Sequence, residues 1–357
     1  MTVLMEVVAL YLPQFHPIPE NDRWWGKGFT EWSNVARARP LFRGHVQPHL
    51  PADLGFYDLR VGEVREAQAE LARAHGVTGF CYWHYWFAGH RLLERPFEEV
   101  LSSGSPDFPF CVGWANQSWS GIWHGAPNKV LIEQTYPGPD DDLEHFASLR
   151  RAFEDPRYMT ICGRPLLFVY QPGGLPEPAR FVERWQKMAV DAGLDGLYLV
   201  ASLGESDYRS HVADGFDAAV HFQFPFRRTV AARAREHLLG WGVTRGPRHY
   251  PYPDAAVDPP PGLGGRIFPS VYPNWDNTPR LGRRGVVATG ATPERFAAHV
   301  RRAVELARTN PVDEQVVVIK SWNEWAEGNY LEPDEEFGTA RLEALARELA
   351  SSGGRIP

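Results

Sequence analysis

The sequence is poor in cysteine, has no block of one charge and contains no long apolar run, and each shortage closes a class of function. Three cysteines, Cys81, Cys111 and Cys162, are an odd number in 357 residues and exclude a disulfide framework; each lies in or beside an apolar run and reads as a reduced, buried thiol. The 37 basic and 44 acidic residues are spread along the chain, net charge -7. No basic stripe is present to neutralise a phosphate backbone, so nucleic acid is excluded as a partner. No stretch approaches the roughly 18 apolar residues of a membrane-spanning segment. Met1–Leu12 carries Glu6, lacks a basic start and runs into Pro13-Gln14-Phe15-His16, which is not the pattern of a signal peptide. A cytoplasmic location is the resulting expectation. Neither a GxGxxG nor a Walker sequence occurs, and Gly262-Leu263-Gly264-Gly265 follows a proline run and reads as a plain loop. There is no GxSxG elbow, and Cys81-Tyr82-Trp83-His84 with His90 has no metal-ligand spacing, so neither cofactor nor metal is expected. Gly 33 and Pro 31 stay below the roughly 25–30% that marks low complexity.

What is abundant is aromatic: 13 Trp, 13 Tyr and 20 Phe, many of the Trp beside polar residues. Eight short apolar runs read as strands: Val7–Leu12, Gly79–Trp83, Phe110–Trp114, Leu166–Tyr170, Leu197–Ala201, Ala218–Phe222, Ile267–Tyr272 and Val316–Ile319. Helical periods follow most of them, at Val61–His75, Leu92–Leu101, Asp141–Phe153, Pro178–Ala192, Pro293–Arg308 and Thr339–Ala350. Continuous apolar strands alternating with helices call for a parallel sheet covered on its outside. Eight units predict an α/β fold, a single (β/α)8 TIM barrel over 1–350, ahead of an open doubly wound sheet. Long connections at 13–60, 115–140 and 223–265 are insertion loops, the last a candidate lid, and 351–357 reads as a disordered tail.

In such a barrel the site lies where strands end, and the residues there are polar and aromatic together. They are Gln14 and His16; Tyr82, Trp83, His84, Tyr85 and Trp86; Trp114, Asn116, Gln117 and Trp119; Tyr170 and Gln171; His221 and Gln223; Tyr272, Asn274, Trp275, Asp276 and Asn277; then Trp322, Asn323, Glu324 and Glu327. Aromatic faces beside amides, imidazoles and carboxyls suit a carbohydrate, with its apolar C–H faces and many hydroxyls. Trp185 sits in a helical period and reads as packing.

Glu324 and Glu327 are the sharpest feature. Glycoside cleavage needs a protonated carboxyl for the leaving oxygen and a second carboxylate. Side chains three apart point to opposite faces of a strand, so a turn must lie between them. A helical i,i+3 turn brings Cβ atoms to about 5–6 Å, which suits the roughly 5–5.5 Å of retaining enzymes better than the 6.5–9.5 Å of inverting ones. Two carboxyls that close should also split their pKa values. Asp140-Asp141-Asp142 follows Pro137-Gly138-Pro139 and reads as a helix start.

Five long motifs carry a family resemblance: Tyr11-Leu12-Pro13-Gln14-Phe15-His16 through Asp22; Trp24-Trp25-Gly26-Lys27-Gly28-Phe29-Thr30-Glu31-Trp32; Gly79 through Phe87; Trp275-Asp276-Asn277-Thr278-Pro279-Arg280; and Trp322-Asn323-Glu324-Trp325-Ala326-Glu327-Gly328 with Leu331-Glu332-Pro333. They resemble the WbsX-like proteins, labelled glycosyltransferases of surface-polysaccharide (O-antigen and lipopolysaccharide) clusters and similar to glycoside hydrolase family 99. The resemblance implies a metal-independent, retaining glycoside hydrolase acting on α-linked mannose-like residues. It implies Glu324 as base toward the sugar 2-hydroxyl or as nucleophile, and Glu327 as general acid and then base. It adds Tyr11, Trp25, Glu31 and Trp32 to the candidate substrate contacts. Where that family commonly has Glu, two Arg and Asp, this sequence has Gln117, Gly121, Ile122 and His124. A glycosyltransferase and a non-catalytic glycan-binding protein are the alternatives.

Overall fold

A computed structural model describes residues 5–121, 126–203, 214–222, 246–253 and 266–351, with 126–129 described by backbone alone. The strands β1 (Glu6–Tyr11), β2 (Gly79–Phe87), β3 (Phe110–Trp114), β4 (Arg164–Val169), β5 (Tyr198–Ser202), β6 (Ala218–Val220), β7 (Arg266–Phe268 and Ser270–Val271) and β8 (Val316–Ile319) lie parallel in chain order. β7 comes in two pieces because Pro269, which has no N–H for a ladder, interrupts it. Its first piece pairs with β6, Ala218 opposite Arg266; its second pairs with β8, Ser270 opposite Val318. The Pro269 carbonyl accepts from Val318 N at 2.9 Å. With β8 beside β1, Glu6 opposite Val316, the ring closes into a (β/α)8 barrel.

The helices that cover the ring include α3 (Gly62–Ala74), α4 (Arg95–Ser103), α5 (Pro139–Phe153), α6 (Pro178–Asp191), α8 (Pro293–Ala307) and α9 (Ala340–Ser351). α5 opens with Pro139 and three Asp in its first turn, a start that suits the helix dipole. α9 runs through Ser351, the first residue of the expected tail, and 352–357 lie outside the described residues. Trp185 of α6 is fully buried against His145 and Phe181.

Two expected loops carry elements of their own. Segment 13–60 holds α1 (Pro19–Trp25) and α2 (Glu31–Arg37), and within 115–140 Trp119–Gly121 pairs antiparallel with Ala126–Ile132. Short α7 (Thr278–Leu281) follows β7. Most of 223–265, the candidate lid with Gln223, lies outside the described residues. So do Ile122 and His124.

Cys81 and Cys111 are buried, but Cys162 is exposed. It forms with Gly163 a two-residue hairpin whose φ values, 52° and 76°, are both positive. That turn type projects into solvent, whatever apolar residues flank it.

Candidate active site

The site is built on a small hairpin. Asn323–Glu324 pairs antiparallel with Asn329–Tyr330, Glu324 opposite Asn329, and Trp325–Glu327 makes a 3-10 turn between them. In such a turn positions i and i+3 eclipse, so Glu324 and Glu327 meet and share a hydrogen bond. Gly328 closes the turn at φ +58°, where a Cβ would lie 2.7 Å from Asp276 N. Only glycine lets the loops after β7 and β8 interlock so closely. Asp276 N donates to the Glu327 carbonyl at 2.6 Å.

Three other buried charges meet the pair. Lys320 Nζ lies 3.0 Å from Glu324 Oε2 and 3.9 Å from Glu327 Oε2. Arg280 of α7 reaches Glu327 Oε1 at 2.6 Å and holds Glu31 Oε1 of α2 at 2.5 Å. Three carboxyls thus face two cations in a region shielded from water, so one carboxyl is favoured as the neutral acid. Burial raises Glu324, but Lys320 and Arg280 with the hydrogen bonds from Glu327 and Lys320 hold it below its ordinary value. Burial pushes Glu327 up, the charge of Glu324 adds to it, and the cations offset only part, leaving it at about 7. Burial raises Glu31 as well, against Arg280.

Around these charges stand Tyr85, Tyr170 and Trp275. Tyr85 feels Glu324, Arg280, Glu31 and Glu327, and its ring meets Trp119 at 5.0 Å. Tyr170 feels Lys320 and both glutamates, and its ring meets Trp83 edge-on across the barrel. The Trp275 ring centre is 5.6 Å from Lys320 Nζ. Gln117 and Gln171 pair side chain to side chain beyond β3 and β4.

Many other expected contacts are placed elsewhere. Successive strand side chains alternate faces, and on β2 the even-numbered residues turn to the helices. Tyr82 packs on Phe97 of α4, His84 Nε2 lies 2.9 Å from His145 Nε2 of α5, and Trp86 stacks on His145 and donates to Asp141. Burial drives His84 down to about 3 and His145 down too, so the two are a neutral pair. Trp114 packs on the same His145 and on Phe181. Tyr11 donates to Gln68 of α3. Trp322 is buried against Phe80, and Tyr272 stacks on His299 while its hydroxyl donates to the His221 carbonyl.

Several polar candidates are consumed by backbone or neighbours. Asn323 exchanges bonds with Leu12 N and O, Asn116 with Gln171 N and O. Asp276 is held by His45, Gln47 and Thr278, whose hydrogen bonds bring it below its ordinary value despite burial. Trp32 donates to Tyr57 O and packs on Trp325; Trp25 is half-buried near Phe29; Gln14 and His16 are buried, the latter with Nδ1 on the Pro13 carbonyl. Lys320 and Arg280 are absent from the sequence-based candidates. Arg280 stands in one of the quoted motifs; Lys320 shows only as a cation ending an apolar strand. Among the described residues no three His, Cys, Asp or Glu side chains converge in a way that holds a metal ion, and no helix is long and apolar enough to cross a membrane.

The structure is a parallel barrel with carboxyls grouped beyond the end of β8. The fold matches that of the GH99 endo-alpha-mannosidase from Bacteroides thetaiotaomicron, with a TM-score of 0.56 at 15% identity over 97% of both chains. It also matches a protein described as glycoside hydrolase-like, with a TM-score of 0.62 at 13% identity over 97% of this chain and 94% of the other. The chain itself belongs to the family described as Glycosyltransferase WbsX, whose pattern covers residues 7–345. Two relatives from Xanthomonas campestris pv. campestris, each called uncharacterized protein WxcX, are 42% identical over 351 residues, 98% of this chain and 50% of theirs. The chain spans about half the length of these curated relatives.

Proposed function

We propose that this chain is a retaining glycoside hydrolase acting on α-linked mannose-like residues of an oligosaccharide or polysaccharide. The observation that carries the reading is the pair of neighbouring carboxyls in opposite electrostatic settings, buried Glu324 beside Lys320 and half-buried Glu327 with the higher proton affinity. A neutral acid beside a carboxylate is what glycosidic cleavage requires. Glu327 gives its proton to the leaving oxygen and later takes one from water. Glu324 removes the proton of the sugar 2-hydroxyl, or attacks the anomeric carbon itself. Tyr85, Tyr170 and Trp275 supply ring faces for the sugar, and neither carboxyl role calls for a metal.

Incubation with a panel of mannose- and rhamnose-containing glycans tests the reading. Cleavage with retained anomeric configuration, lost in Glu327→Gln, supports it; an unchanged rate in that variant removes the acid role. The family description favours a second reading, a glycosyltransferase of surface-polysaccharide assembly. A nucleotide sugar that binds only the native state raises the melting temperature, and such a rise without hydrolysis of any glycan selects the transferase. Glycan binding that survives loss of both glutamates, with no turnover, selects a non-catalytic binding protein.

A further inference from the structure

The two-carboxyl chemistry leaves Lys320 without a part. It is one of four lysines in the chain, and its side chain is 6% exposed. Desolvation normally strips the proton from a buried lysine. Here Glu324 and Glu327 more than offset burial, and the ammonium is retained.

In the first half of the proposed reaction, the C1–O bond to the leaving group breaks and the departing oxygen takes the Glu327 proton. At the same time either the 2-oxygen bonds to C1 after giving its proton to Glu324, or Glu324 bonds to C1. Both versions leave Glu324 neutral and Glu327 ionised, so one negative charge moves from the first carboxyl to the second. Water then adds at C1 and gives a proton to Glu327, and Glu324 regains its charge as its proton or its bond is returned.

A charge moving through a dry site needs a counter-charge that can move with it. Arg280 is anchored, with two of its nitrogens on Glu31 and the third on Glu327. Lys320 is a point charge on a flexible stem, placed between Oε2 of Glu324 and Oε2 of Glu327 at 3.0 and 3.9 Å. We infer that Lys320 is the counter-ion that follows the charge, passing its closer contact from Glu324 to Glu327 in the first half of the reaction and back in the second. The inference rests on the hydrolase reading above and makes Lys320 a positioning residue. The groups that face it or its carboxyl partners are Glu324 and Glu327 on the hairpin, Trp275 and Arg280 after β7, Glu31 on α2, Tyr85 on β2 and Tyr170 after β4.

Four lysines make the test readable without substrate. Protein labelled at lysine Cε with 13C gives four signals, and Lys320→Arg identifies the one that disappears. That signal is expected to shift with a midpoint near pH 7, as Glu327 ionises, and to stay fixed in Glu327→Gln. With a glycan from the panel, Lys320→Met is expected to lower kcat about 10²-fold with KM within a factor of about three, and Lys320→Arg to restore most of the loss. A merely structural lysine predicts equal damage in both variants and no movement of the signal. A Lys320 signal without a midpoint between pH 6 and 8, in a protein that still needs Glu327 for turnover, overturns the Lys320 role alone. Turnover unaffected by Glu327→Gln overturns the hydrolase reading and the Lys320 role with it.

Discussion

Two glutamates five residues apart, half-buried Glu327 and buried Glu332, are both pushed up to about 7, and they are held in different ways. Glu327 sits among charges, touched by Arg280 and Glu324 with Lys320 near, and its side chain keeps 19% of its surface exposed. Glu332 is closed in: it accepts from Tyr57 Oη at 2.9 Å, Gln68 Nε2 at 2.6 Å and Trp325 Nε1 at 2.6 Å. Burial raises both, but one carboxyl keeps part of its surface open beside other charges and the other is a bolt between α3, the first long loop and the hairpin. A raised carboxyl pKa alone does not single out an acid catalyst; its partners do.

The contrast breaks most sharply on turnover. Glu327→Gln is expected to lower kcat by about 10³-fold on any glycan cleaved, whereas Glu332→Gln, the same size and uncharged, should stay within a factor of about three; steady-state kinetics of the two variants decide. Stability should rank the reverse way. Glu332→Ala strands three buried donors and should cost about 3 kcal/mol or more in a denaturant titration, while Glu327→Gln should cost under about 1 kcal/mol. Between these, Arg280→Met leaves Glu31 buried without its cation and is expected to destabilise by about 3–5 kcal/mol at neutral pH, a loss that shrinks in acid as Glu31 takes up a proton.

The pH dependence of folding is the smaller, sharpening test. For both glutamates the native value of about 7 exceeds the ordinary 4.5. Between those values the native state binds protons that the unfolded chain has released, so their contribution is full below pH 4.5 and is lost as pH rises through about 7. The melting temperature should therefore fall from pH 5 to 8, and each Gln variant should flatten part of the fall. His84→Gln is the control: a group that titrates near 3 should leave the activity profile between pH 5 and 8 unchanged.

All eight strands were legible because parallel barrel strands are buried on both faces and read as plain apolar runs. That same property hides which residues look inward. Tyr82, Trp83, His84, Tyr85 and Trp86 show no polar alternation, and only the packing reveals that Trp83 and Tyr85 face the barrel while the other three face helices. The i,i+3 meeting of Glu324 and Glu327 followed from the turn that two convergent side chains demand. Lys320 and Arg280 escaped notice because a cation's burial is a tertiary fact: Arg280 meets Glu31 across 249 residues of chain. The break in β7 was missed because its flanking runs are equally apolar around Pro269.

The ring closes only when the last strand joins the first, and this sets an order on synthesis. A nascent chain that has emerged as far as Arg280 has an open sheet with unpaired edges at β1 and β7, and of the two carboxyls that Arg280 meets, Glu31 is present and Glu327 is not. The pairing Glu6 with Val316 spans almost the whole chain, so much of the contact energy arrives late and folding should be slow for the chain's size. Completion of the hairpin that carries Glu324 and Glu327 and the sealing of the barrel are then one event.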